Sequence, residues 1–166
     1  MTVAQLLSVL ERMTETHEEL IALAEQKKEA LIRNNVDEVS AIVNRETRAV
    51  KVVDTLLKEQ ADATNAFFRA RGFQTTRAVT VTELSRMVTD PQEKKRLLDA
   101  RDRLTAAIAQ LKTKNELNQK LIEQSISYIN YTLDLVLGPD EEPIYHNPAS
   151  QATGGAKRMS YFDSKA

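Results

Sequence analysis

The residue types that perform enzymatic chemistry are scarce in this sequence, and those present lack catalytic spacing. The 166 residues include no cysteine, which excludes a thiol nucleophile, a disulfide and a thiolate metal site. There are two histidines, and they are far apart in the sequence. His17 falls on an apolar helical stripe, where a packed structural histidine is the favoured interpretation. Gly154 and Gly155 precede no predicted helix and therefore do not form a phosphate-binding loop. We predict no enzymatic activity and no cofactor.

Charged residues are distributed as on the solvated faces of helices. Aspartate and glutamate number 24, lysine and arginine 23, and the net charge is −1. Because the two signs are intermixed, no basic stripe is available for nucleic acid. There is no signal-peptide pattern and no apolar run of transmembrane length. We therefore expect a cytoplasmic protein that does not insert directly into a membrane.

The composition and the longest uninterrupted segment predict an all-α fold. The chain has only 4 glycines, 4 prolines and 5% aromatic residues. Asp90 is suited to cap a helix, Pro91 to be its first residue, and Gly138 to end it. A helix over residues 91–137 would be roughly 70 Å long and would need partner helices along it. We expect an antiparallel helical bundle or coiled coil.

Three earlier helices are predicted at about residues 3–33, 36–71 and 81–88. Asn35 with Glu38, and Thr80 with Glu83, have the spacing of capping boxes. No glycine or proline enforces a turn near Asn35, so two helices or one bent rod remain alternatives for the first 71 residues. Residues 1–138 are predicted to form one helical domain, and residues 139–166, rich in proline and polar residues, a flexible tail.

The long helix carries two apolar stripes, which predict different partners. The first stripe runs the whole length and is expected to pack on the first two helices: Leu97, Leu104, Ile108, Leu111, Ile122, Ile126, Ile129, Leu133 and Val136. The second stripe occurs only in the later half and lies about 120° around the helix: Leu117, Leu121, Tyr128 and Leu135. Asn118 and Ser125 are expected to border it.

The second stripe is predicted to bind a partner's amphipathic helix in helix-in-groove fashion. Three alternatives would cover it without a partner protein: the short helix at residues 81–88, the tail, or a second copy of the chain. A permanent cover by a second copy would make the protein a structural coiled-coil adaptor acting as a homodimer.

Several runs of residues resemble one family, the FlgN-type flagellar export chaperones. NELNQKLIEQSI at residues 115–126, with Tyr128, Ile129, Asn130 and Leu133, is similar to the C-terminal helix of that family. EQKKEALI at residues 25–32 is similar to its first helix. PIY at residues 143–145 and GGAKR at residues 154–158 resemble its tyrosine-bearing tail.

The resemblance implies a function that the residues alone do not give. FlgN-like proteins are cytoplasmic, helical, cofactor-free chaperones that hold hook–filament junction proteins before type III secretion. The family uses its C-terminal helical region to bind the helical terminus of these substrates. The resemblance thus implies substrate binding by Leu117, Asn118, Leu121, Ser125, Tyr128 and Leu135. It also implies that Tyr145 binds the cytoplasmic domain of the export-gate membrane protein.

Overall fold

The computed structural model describes residues 3–74 and 77–138, which form helices and their connections. The helices are α1 (Val3–Ile32), α2 (Val36–Arg69), α3 (Val81–Ser85) and α4 (Pro91–Leu137). The predicted all-α fold with one very long C-terminal helix is confirmed. The chain divides into two compact units, Met1–Ile122 and Glu123–Ala166.

A tight turn separates α1 from α2 and makes them an antiparallel hairpin. Asn34 adopts the left-handed conformation with φ 54°, which asparagine tolerates better than most residues. Asn35 caps α2, its side-chain oxygen accepting a hydrogen bond from the backbone N–H of Glu38 at 3.1 Å. Farther along, Arg12 of α1 forms an ion pair with Glu59 of α2 at 2.7 Å. The first 71 residues are therefore two helices, and the bent rod is excluded.

The main core lies between the N-terminal half of α1, the C-terminal half of α2, α3 and the start of α4. Val3, Leu7, Leu56 and Phe67 belong to it, and the fully buried Leu97 comes from α4. Their burial is the dominant favourable contribution to folding, at about 1.5–3 kcal/mol for each large side chain.

The short helix α3 begins as predicted and ends earlier. Thr80 and Glu83 form the complete capping box. The helix stops at Ser85 because the next three N–H groups, through Val88, bond to carbonyls three residues back rather than four. Val88 nevertheless remains buried in the core together with Leu84.

The register of α4 against α1 follows from two contacts. Lys114 Nζ lies 2.7 Å from Glu25 Oε2, and Asn118 Nδ2 donates to the Ala24 carbonyl at 2.8 Å. Since Leu97 packs near the start of α1, α4 runs parallel to α1 and antiparallel to α2. The polar contacts lie where the apolar packing of α4 has ended.

The first stripe is not buried along its length, which corrects the prediction. Leu97 is fully buried and Leu104 is 8% exposed, whereas Ile108 is already 44% exposed. Ile129 and Val136 are 50% and 75% exposed. One reason is length, because α4 has 47 residues against 30 in α1 and 34 in α2. Beyond residue 107, α4 also contacts α1 through the Lys114–Glu25 ion pair and the Asn118–Ala24 hydrogen bond.

Candidate protein-binding surface

The end of α4, residues 123–137, exposes large apolar side chains on more than one face. Tyr128 is 71% exposed and Leu135 68%. In the preceding unit, Leu117 is 45% exposed and Leu121 half-buried. At about 100° per residue Leu117 lies about 40° from Leu121 around the helix, and Tyr128 about 20° from Leu135, as the periodicity predicted. The second stripe is thus largely open to solvent.

The open surface includes residues that the sequence analysis did not select. Tyr131, 61% exposed, lies three residues after Tyr128 and four before Leu135, on the same side of the helix. Leu137 is 46% exposed. The i, i+3 and i+4 spacing from Tyr128 to Tyr131 and on to Leu135 is the signal in the sequence that identifies Tyr131. We call Tyr128, Tyr131 and Leu135 the aromatic patch.

The charge around the aromatic patch is sparse and negative. Residues 123–137 contain no lysine or arginine and only two carboxylates, Glu123 and Asp134. An apolar surface of this kind, on a helix with few charges, is typical of a protein interface rather than of a solvated helix face.

Asn118 does not border the exposed second stripe. Its side chain is 2% exposed, and its Nδ2 donates to the Ala24 carbonyl of α1 at 2.8 Å. Asn118 lies about 100° from Leu117 and about 60° from Leu121 around α4, on the side that faces α1. Its Oδ1 is buried without a hydrogen-bond donor among the described residues. Ser125, the other expected border residue, is half-buried.

The short helix α3 does not cover Leu117, the first residue of the second stripe. Val81 and Leu84 pack in the main core, with Leu97 and the start of α1. Leu117 keeps 45% of its surface exposed. The tail and Tyr145, which the resemblance implicated, lie outside the described residues.

His17 is the structural histidine that its position predicted. It is 8% exposed, and its Nδ1 donates to the carbonyl of Met13 at 2.7 Å, one turn back in α1. Among the described residues no group of three histidine, aspartate or glutamate side chains is placed to hold a metal ion.

The perturbed carboxyl groups belong to structural ion pairs. A hydrogen bond from Arg77, with further bonds from the Thr80 backbone and hydroxyl, lowers the pKa of Glu83 to about 2. Hydrogen bonds from Lys114 and then from Lys28 lower the pKa of Glu25 below its usual value. The first group holds the start of α3 and the second joins α1 to α4, so neither is arranged for proton transfer to a substrate.

Comparison with known proteins identifies the family. Residues 1–153 match the family model described as FlgN protein. The chain belongs to the FlgN family. FlgN is a family of flagellar export chaperones, and membership supports that role for this FlgN-family protein.

Among curated proteins, this FlgN-family chain is similar to "Uncharacterized protein YvyG" of Bacillus subtilis (strain 168). The two are 24% identical over 166 residues, which cover 100% of each chain. No solved structure matches the chain. Among the described residues of this FlgN-family protein, none of the helices combines the length and the apolar character required to cross a membrane.

Proposed function

We propose that this FlgN-family protein binds the helical terminus of hook–filament junction proteins in the cytoplasm and delivers them to the flagellar type III export gate. The observation that carries the proposal is the exposed aromatic patch. A chaperone for an amphipathic helix needs an apolar surface that is open before the substrate arrives, and Tyr128 and Leu135 are 71% and 68% exposed. In the first unit, Leu117 is 45% exposed and Leu121 half-buried, and we assign both to substrate binding as well.

The affinity for the junction protein is limited by the apolar surface that the complex can bury. Burying four large apolar side chains contributes on the order of 6–12 kcal/mol before any costs. Lost translational, rotational and side-chain freedom removes much of this. A dissociation constant no tighter than the micromolar range, about 8 kcal/mol, follows. Such a complex holds a subunit and still releases it at the export gate.

The second part of the proposal concerns the predicted tail, residues 139–166, and the export gate. We assign contact with the cytoplasmic domain of the export-gate membrane protein to Tyr145, on the strength of the family resemblance around residues 143–145. Tyr145→Ala is expected to abolish binding to that domain while leaving the affinity for the junction protein unchanged. A pull-down with the isolated gate domain measures the first quantity and calorimetry the second. Equal gate binding by both proteins would remove Tyr145 from the proposal.

The chaperone function is tested by titrating the full chain with a hook–filament junction protein from the same organism, followed by calorimetry. The junction protein is used intact and without its terminal helical segment. The chaperone is used as wild type and with Tyr128, Tyr131 and Leu135 changed to alanine. Val52→Ala is the control, because Val52 is 46% exposed but lies on α2.

Two results support the proposal together: loss of binding on removal of the terminal segment, and loss on removal of the aromatic patch, with Val52→Ala unaffected. If the intact pair does not bind, the proposal fails. In that case a stable homodimer of the wild type, broken by the aromatic-patch substitutions, would establish the adaptor function instead.

A further inference from the structure

Both negative charges at the end of α4 lie on the same side of the aromatic patch. Glu123 and Asp134 are about three helical turns apart, which places them within about 20° of each other around the helix. Asp134 lies about 60° from Tyr131, on the side away from Tyr128. The carboxylate of Asp134 has no ion pair with a described residue, and residues 123–137 contain no lysine or arginine. A surface that covers the patch therefore gains from carrying positive charge beside it.

The same side of α4 also carries an unsatisfied hydrogen-bond acceptor. Asn130 lies one turn before Asp134, about 40° around the helix. Its Oδ1 is buried without a hydrogen-bond donor among the described residues. Lysine and arginine side chains only donate hydrogen bonds, so a basic segment supplies the donors that both of these acceptors can take.

A second copy of this helix end is a poor complement for itself. Antiparallel pairing centred between Tyr128 and Ile129 would set Glu123 of one copy against Asp134 of the other. Parallel pairing would set each carboxylate against its own equivalent. Like charges that face each other oppose association, and neither arrangement brings a lysine or arginine, because residues 123–137 contain none. The complement must come from another part of the chain or from another protein.

One stretch of the residues after Gly138 combines positive charge with large apolar side chains. It comprises two cations and three apolar anchors: Lys157 and Arg158, followed by Met159, Tyr161 and Phe162. We call residues 157–162 the tail segment. Residues 140–142, which carry the first charges after α4, are all acidic and would repel Asp134. The tail segment is therefore the part of residues 139–166 that complements the end of α4 in both charge and apolar character.

The chain between α4 and the tail segment has the length needed for contact within one molecule. Tyr128 lies about 15 Å from Gly138 along α4. The connection, residues 139–156, has about 18 residues, and a chain of that length spans roughly 23 Å on average. The aromatic patch and the tail segment also belong to the same compact unit, Glu123–Ala166. A segment tethered in this way acts at an effective concentration on the order of a millimolar.

We infer that the tail segment binds the end of α4 and competes with the junction protein for the aromatic patch. Its two basic residues bond to the Asp134 carboxylate and to Asn130 Oδ1, and its apolar side chains lie against the aromatic patch. The inference rests on the proposed function, because the junction protein is the ligand that the tail segment excludes. With a Kd of its own of about 0.1 mM, the tethered tail segment would raise the apparent Kd for the junction protein about tenfold.

A paramagnetic label tests the contact in the absence of the junction protein. The chain contains no cysteine, so Ser164→Cys provides a single labelling site two residues after the tail segment. A nitroxide attached there should broaden the amide signals of residues 128–135 in the full chain, because the label lies beside the aromatic patch when the tail segment is bound. Absence of broadening throughout residues 123–137 would overturn the inference.

Two charge-reversed variants show whether the contact depends on the basic residues of the tail segment. The tail variant is Lys157→Glu/Arg158→Glu, and it should lose the broadening. The control variant, Lys94→Glu/Lys95→Glu, changes the net charge equally at two exposed lysines of the first unit. It should keep the broadening. Equal broadening in all three proteins would overturn the inference, since the contact would then not depend on charge complementarity.

Calorimetric titration of the same proteins with the intact junction protein measures the competition. The Kd should fall about tenfold in the tail variant and stay unchanged in the control variant, with circular dichroism showing that both remain folded. Equal affinities in all three proteins would overturn the competition. If wild type and the tail variant both fail to bind, the proposed function and the competition fail together, whereas broadening would still support the contact itself.

A sample that mixes two kinds of chain distinguishes contact within one molecule from contact between copies. One chain carries the nitroxide, and the other carries the isotopes that make its amide signals visible. Broadening in this mixture that rises with protein concentration assigns the contact to a second copy and overturns the inference. Broadening that occurs only when label and isotopes are on the same chain supports it.

Discussion

The two ends of α4 have similar apolar repeats and very different surroundings. Near its start, Leu97 is completely buried and Leu104 is 8% exposed, within the core formed with α1, α2 and α3. Near its end, Tyr128 and Leu135 are 71% and 68% exposed. Both ends are regular helix, so the difference does not come from helix propensity. An apolar stripe therefore predicts that a helix packs against something. It does not predict whether that partner is another helix of the chain or another protein.

The largest expected effect is on stability, at the start of α4, where Leu97 is buried in the core. Leu97→Ala leaves a cavity in a fully enclosed site and should lower the free energy of unfolding by about 2–5 kcal/mol. Leu135→Ala removes a side chain that is 68% exposed and should change it by less than about 0.5 kcal/mol. Urea unfolding followed by circular dichroism measures both. Equal losses would show that the end of α4 is packed in solution.

The next largest effect is on binding of the junction protein, at the exposed end of α4. Changing the aromatic patch to alanine should weaken binding of the junction protein by about 2–4 kcal/mol, because exposed aromatic side chains dominate interface energies. Leu97→Ala, measured under conditions where it is folded, should bind like wild type. Calorimetry gives the two affinities. A greater loss for Leu97→Ala would place the binding surface on the packed end.

A smaller effect on stability is expected at α3, which packs in the main core with the start of α4. Thr80→Ala removes the side-chain half of the capping box and should cost about 1 kcal/mol of stability. Hydrogen exchange should rise at Leu84 and Leu97 while remaining the same in residues 123–137. Thr105→Ala is the control, because Thr105 bonds only one turn back within α4. Uniformly faster exchange along α4 would show that its two ends unfold together.

The smallest effect is a pH dependence of stability at Glu83, in the first turn of α3. Since the pKa of Glu83 is lowered to about 2 in the folded protein, its contribution to stability is present above the unfolded value near 4.5. That contribution is lost as the pH falls from about 4.5 to about 2. Glu83→Gln should therefore show a shallower fall in thermal midpoint over this range than wild type. Glu11→Gln, on an exposed part of α1, should follow wild type. Parallel curves for Glu83→Gln and wild type would contradict the assignment.

Local chemistry allowed the helix boundaries to be predicted closely. Asn35 and Thr80 cap helices in the structure as their spacing with Glu38 and Glu83 predicted. Asp90 accepts a hydrogen bond from the N–H of Gln92 at 2.8 Å at the start of α4. These features depend on residues within one turn of each other, which is why the sequence is sufficient for them.

The prediction was least accurate where burial depends on distant residues. The first stripe was expected to pack along all of α4, but Ile108 is 44% exposed. Asn118 was expected at a surface and is buried beside Ala24, 94 residues earlier in the chain. Periodicity placed Ile108 on its correct face of the helix. It could not show how closely another helix approaches that face.

The sequence by itself determined that this protein is helical and where each long helix begins and ends. It also determined that the later half of α4 carries two apolar stripes. These follow from backbone hydrogen bonding and from the 3.6-residue turn, both of which are local. Only the tertiary structure decided how much of the first stripe is enclosed and that Asn118 lies inside. Burial is decided by the distance between elements far apart in sequence, and that distance exists only once the helices have packed.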